Sequence, residues 1–107
     1  STPLNDAGEA AAIREVFGAH ADRLMVSSTK GWHGHALGAS GAIETALATM
    51  ALRHSWVPGS LNLENPVVEG ALTFVPASGV AAQPRVILKQ SFGFGGANAA
   101  LVLTAPE

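Results

Sequence analysis

Apolar residues along the chain come in short blocks punctuated by glycine and proline, and their spacing changes from helical to extended between blocks. The opening Ser1-Thr2-Pro3-Leu4-Asn5-Asp6 holds two good helix N-cap candidates. Residues 7–17 then follow as an alanine-rich helix with Ile13, Val16 and Phe17 on one face, closed by Gly18. Residues 24–28 form an apolar run of strand length that delivers the chain to a long glycine-punctuated turn over residues 31–41. The run of Ala, Leu, Ile and Met from residue 42 to about residue 54 is apolar nearly all round, the pattern of a buried helix. Pro58-Gly59 and Asn65-Pro66 mark an irregular connection. Residues 72–75, 85–91 and 99–104 read as strands, the last two joined by Phe92-Gly93-Phe94-Gly95-Gly96, a connection too rich in glycine to be regular. Helix, strand, helix and three further strands make an α/β chain, with helices placed to cover a sheet.

Composition narrows this picture. With 48% apolar and 13% charged residues, the 107-residue chain is too apolar for a disordered segment. A net charge of -2 and six scattered Lys and Arg residues provide no basic stripe to track phosphates, which argues against a nucleic-acid partner. No apolar run approaches the roughly 20 residues needed to span a bilayer, and the first eight residues lack the pattern of a signal peptide, so a cytoplasmic protein with no membrane partner is expected. No repeat, linker or charge block divides residues 1–107, so they read as one portion of one domain, with no separate second domain. Ala and Gly dominate and large aromatics are few, which leaves a surface suited to packing against more protein. With zero cysteines, the chain contains no disulfide, thiolate metal site or cysteine nucleophile.

Two segments carry candidate chemistry: Ser27 to Glu44, and Gln90 to Asn98. A glycine-rich turn from strand to helix is most often a tight connection and nothing more. Here, however, Lys30, His35 and Glu44 are polar residues in otherwise small and apolar sequence, and burying a Lys or Glu is costly without a partner. An ion pair between Lys30 and Glu44 answers both costs. It leaves His35 on a backbone able to approach a substrate, just before a helix whose N-terminus favours developing negative charge. His33 and His35, two apart, would point to one side of an extended segment, but two ligands do not close a zinc site and no metal is expected. The glycines at 93, 95 and 96 lack the Gly-Lys-Ser/Thr ending of a phosphate loop and precede no helix. His20 and His54 flank or end helices and read as surface residues.

The two segments together resemble the β-ketoacyl-acyl-carrier-protein synthases, the type II condensing enzymes, and among them the KAS II kind. Lys30-Gly31-Trp32-His33-Gly34-His35 resembles the family's Lys-x-x-x-Gly-His, and Gly38-Ala39-Ser40-Gly41-Ala42-Ile43-Glu44 its Gly-Ala-x-Gly-x-x-Glu. Ser91-Phe92-Gly93-Phe94-Gly95-Gly96-Ala97-Asn98 is similar to Ser-Phe-Gly-Phe-Gly-Gly-x-Asn near the family's C-terminus. Pro58 to Pro66 resembles its Pro-x-x-x-Asn-Leu-x-x-Pro connection, and Ser1 to Asp6 the continuation of His-Gly-Thr-Ser-Thr-Pro. Ala97 stands where many members carry Thr, and His33 where many carry Thr or a small residue.

The resemblance implies a thiolase-like fold, of which this chain is the C-terminal part of the second of two duplicated halves. It implies decarboxylative Claisen condensation in fatty acid elongation, with polyketide synthesis and a non-catalytic chain-length partner as alternatives. His35 falls on the histidine that hydrogen-bonds the malonyl thioester carbonyl, Lys30 on the lysine supporting the hydrogen-bond network, and Glu44 on its ionic partner. Phe92 and Phe94 fall on an acyl gate flexed by Gly93, Gly95 and Gly96, which Asn98 helps to order. The family's cysteine nucleophile and first histidine lie before Ser1, so the chain alone is expected to be inactive. The implied partners are acyl carrier protein, the remainder of the ketosynthase chain and a second copy in a homodimer; no cofactor is needed beyond the phosphopantetheine borne by the carrier protein.

Overall fold

In the computed structural model, residues 2–66 and 72–106 are described. Helix α1, Pro3–Phe17, starts four residues earlier than its alanine-rich core suggests. Thr2 is the reason: its Oγ1 accepts the Asn5 N–H at 3.1 Å, and a proline at the helix start gives up an N–H that has no helical acceptor. Gly18 ends the helix at φ 53, a value that favours glycine, and its N–H makes the last helical bond, to the Arg14 carbonyl. Ala10 and Ile13 are buried and Phe17 half-buried, whereas Val16 is 75% exposed, so the inward line runs 10, 13, 17 and leaves Val16 off it. A 3-10 segment, Gly18–Arg23, follows, tied back by an Arg14 to Asp22 ion pair at 2.6 Å.

Strand β1 is only Met25–Val26 and runs parallel to β3, Thr73–Phe74. Residues 27–29 leave the ladder to bond elsewhere: Ser27 Oγ donates to the Pro58 carbonyl and the Ser28 N–H to Ser60 Oγ at 2.9 Å. The expected turn over residues 31–41 contains a single helical turn, α2 at Lys30–His33, and a 3-10 turn at Leu37–Ala39. Close approach explains one of its glycines, since a Cβ on Gly31 would lie 2.8 Å from the Leu61 carbonyl oxygen. Helix α3, Ser40–His54, packs on β2 (Trp56–Val57), β5 (Val86–Phe92) and β6 (Asn98–Thr104). It is not buried all round. Ala42, Ala46, Met50 and Arg53 form an exposed stripe, because the described elements cover only its opposite side.

β2 pairs antiparallel with β4, Val80–Ala81, two strands too short to show a period in the sequence. β5 and β6 pair antiparallel over seven residues, from Val86 opposite Thr104 to Phe92 opposite Asn98. Side chains alternate along a strand, and this alternation places the two helices on opposite faces of the hairpin. Lys89 meets Glu44 of α3 on one face, and Gln90 Nε2 donates to Glu9 Oε1 of α1 at 2.7 Å on the other. The arrangement is therefore α/β with helices covering a sheet. The buried apolar residues are few and mostly small: Ala10, Ile13, Ala21, Ala51 and Val75. Val86, Leu88, Leu101 and Val102 of the hairpin stay exposed.

Candidate active site

The turn between α2 and α3 holds His35. Gly34 takes φ 76 and Leu37 takes φ 49, a left-handed value unusual for a branched side chain. The bend turns the Leu37 N–H onto His35 Nδ1 at 3.0 Å. The hydroxyl of Ser40, buried at the start of α3, lies 3.0 Å from the same nitrogen. A main-chain N–H can only donate, so Nδ1 is an acceptor and the neutral ring carries its proton on Nε2. No described residue pairs with Nε2, and His35 is exposed. The turn thus presents one N–H donor outward, with its tautomer set by two neighbours.

One turn into α3 from Ser40, Glu44 takes two lysines. Lys30, at the start of α2, pairs with Oε1 as the charge pattern predicts. Lys89, from the middle of β5, pairs with Oε2 at 3.0 Å and also donates to Ser91 Oγ. The Glu44 and Lys89 side chains are only 14% and 11% exposed. Burial by itself would push the Glu44 carboxyl up. The hydrogen bonds and positive charges of Lys30 and Lys89 outweigh it and hold the carboxyl below its ordinary value. Lys89 is the member that sequence reading missed. The signal was available in the alternation of β5, where Ile87, Lys89 and Ser91 fall on one face and a lysine therefore points the same way as an isoleucine.

The other predicted residues sit at the end of the hairpin. Phe92 closes β5 and is 44% exposed; Phe94 opens a 3-10 turn at Phe94–Gly96 and is 97% exposed, so it packs as a core anchor against none of the described residues. Gly95 and Gly96 take φ 74 and 81, values that favour glycine, while the Gly93 N–H closes the loop on the Ala97 carbonyl at 2.7 Å. Asn98 faces Phe92 in register, and its side chain has no hydrogen-bond partner among the described residues. His33 and His35 take different partners. His33 ends α2 and its Nε2 lies 3.1 Å from Thr29 Oγ1, because the segment is helical there rather than extended. No group of three potential metal ligands occurs among the described residues. A separate shallow groove of about 320 Å³ lies between Trp32 and Trp56, and neither His35 nor the hairpin loop lines it.

The histidine donor thus lies in the turn before α3, the lysine-bound glutamate one turn into that helix and the phenylalanine-glycine loop at the end of the neighbouring strand. Residues 1–64 match the family described as "Beta-ketoacyl synthase, C-terminal domain", and the chain belongs to that family. It is 47% identical over 97% of its length to 3-oxoacyl-[acyl-carrier-protein] synthase 2 of Coxiella burnetii and 48% identical over 94% to the protein of that name from Synechocystis. It is also 42% identical over 99% of its length to the putative polyketide beta-ketoacyl synthase 1 of Streptomyces halstedii. A solved type II polyketide acyl-carrier protein in complex with its ketosynthase, bound to the hexaketide, superposes on 99% of the chain with a TM-score of 0.93 at 32% identity. The thiolase-like fold follows from this likeness. The chain spans about a quarter of the length of each of these proteins.

Proposed function

We propose that the chain is the C-terminal part of a β-ketoacyl-acyl-carrier-protein synthase that elongates fatty acyl chains by decarboxylative Claisen condensation. The observation that carries this reading is the fixed tautomer of His35, whose Nε2–H is a preorganised donor of the kind an oxyanion needs. The acyl group is held as a thioester on a cysteine elsewhere in the complete protein, since this chain has none and forms no acyl-enzyme alone. In malonyl carrier protein, the bond between the carboxylate and Cα breaks and carbon dioxide leaves. Its electron pair enters the thioester as an enolate whose oxygen accepts the His35 Nε2–H bond. The enolate carbon then attacks the acyl carbonyl, the bond to the cysteine sulfur breaks, and the thiolate departs and regains a proton.

In this reading Lys30 and Glu44 brace the turn that carries His35, and Phe92 and Phe94 gate the acyl chain on their glycine-rich loop, with Asn98 at its base. Residues 1–107 form one portion of the ketosynthase domain. The reaction needs no metal or organic cofactor; the substrates arrive on the phosphopantetheine arm of acyl carrier protein, and the complete enzyme is a cytoplasmic homodimer. The polyketide relatives and the polyketide ketosynthase structure support a second reading, the same condensation on a growing polyketide. The presence of Lys30, His35 and Glu44 weighs against a non-catalytic chain-length partner.

The test is His35→Ala in the complete enzyme. Removing one such donor costs on the order of 100 to 1000-fold in rate, so carbon dioxide release from malonyl carrier protein should collapse while acyl transfer to the cysteine persists. Normal carbon dioxide release from that variant defeats the assignment.

A further inference from the structure

Glu44 needs one lysine to offset its burial and has two. Lys30 alone would leave a neutral pair; Lys89 brings a second cation to the same carboxylate, so the group of three carries one positive charge in excess. A lysine on the inward face of a strand is costly to bury, and a purely structural position there would be served as well by an aliphatic side chain. Its contacts point to something else. On one side Lys89 Nζ donates to Ser91 Oγ, the residue immediately before Phe92 and the hairpin loop. On the other it reaches Glu44 Oε2 at 3.0 Å, and it lies 3.6 Å from where a Cβ on Gly41 would be, in the first turn of α3. That turn begins with Ser40, whose hydroxyl meets His35 Nδ1.

We propose that Lys89 is a positioning residue that couples the hairpin loop to the His35 donor: it clamps the loop end of β5 to the first turn of α3, so that a displacement of the loop moves Ser40 and re-aims His35. The coupling runs through charge-assisted contacts at both ends of a single ammonium. It rests on the condensing-enzyme reading and adds a residue to it. Because Lys89 acts through Glu44 on the aim of a donor, its loss falls on the chemical step rather than on substrate binding.

The experiment is a double-mutant cycle in the complete enzyme, following malonyl carrier protein decarboxylation, with acylation of the cysteine as the check on folding. Contacting members of one network act non-additively, so Lys89→Met should lower kcat about tenfold with KM within about twofold, and add little in a Glu44→Gln background. Lys89→Arg keeps the charge and should restore most of the rate. If Lys89→Met is not acylated and so not folded, Ser91→Ala removes only the loop-side acceptor and should give a smaller loss of kcat in the same direction. A parental kcat in Lys89→Met, or in a folded Ser91→Ala standing in for it, overturns the proposal, as do losses that multiply independently with Glu44→Gln. A complete parent enzyme that releases no carbon dioxide from malonyl carrier protein brings down the condensing-enzyme reading itself. An active parent with an indifferent Lys89 brings down only the coupling.

Discussion

The two ends of one side of the site are held in opposite ways. Around the first turn of α3, Glu44 is clasped by Lys30 and Lys89, and His35 by the Leu37 N–H and the Ser40 hydroxyl. At the tip of the hairpin, a single main-chain hydrogen bond closes the loop, two glycines sit at positive φ, and Phe94 stands 97% exposed. Both regions border the same strand, and Lys89 and Phe92 are three residues apart on it. On the proposed condensing-enzyme reading, the difference separates two requirements. A donor aimed at a developing oxyanion gains from being fixed before the reaction, and a gate gains from having more than one place to go.

The largest effect on this contrast should come from Glu44→Gln in the complete protein. It removes the one charge both lysines need. Breaking a buried pair can cost 3–5 kcal/mol, but Lys30 still meets solvent, so about 1–3 kcal/mol of unfolding free energy is expected by denaturant titration. The pH dependence has a fixed sign. The folded Glu44 pKa lies below the unfolded one, so its stabilisation is complete above the unfolded carboxylate's pKa and is lost as pH falls through the folded value. Glu44→Gln should therefore flatten the acid limb of stability against pH. An unchanged acid limb would mean the lysines do not hold the carboxylate as described.

Phe94→Ala addresses the other half of the comparison and should cost less than about 0.5 kcal/mol, as surface substitutions do. In the complete enzyme it should change the preferred acyl chain length. A large loss of stability, or an unaltered chain-length profile, would make the ring a fixed packing element and erase the distinction between the two regions.

Much of this was legible in the residues themselves. The Lys30 to Glu44 pair followed from the cost of burying isolated charges, and the hairpin from its period and its glycines. The rest depended on contacts between segments distant in sequence. Lys89 lay in a strand pattern and its partner is 45 positions away, so only the packing of α3 on β5 could join them. The helical turn at Lys30–His33 was hidden by Gly31, and it is what brings His33 to Thr29. β2 and β4 are two residues each, and a period cannot be read from two positions. The exposure of Val16 and of one side of α3 follows from how little of the described chain reaches them.

The backbone turn before α3 sets the tautomer of the neutral His35 ring, with its proton on Nε2. Nitrogen-15 NMR of the histidine side chains in the complete protein, with His35 assigned by comparison with His35→Ala, reads this directly at a pH where the ring is neutral. A protonated, pyrrole-type Nε2 and an unprotonated, pyridine-type Nδ1 are expected. A proton found on Nδ1 would contradict this assignment, because the Leu37 N–H could not then donate to that nitrogen and the outward donor would not exist.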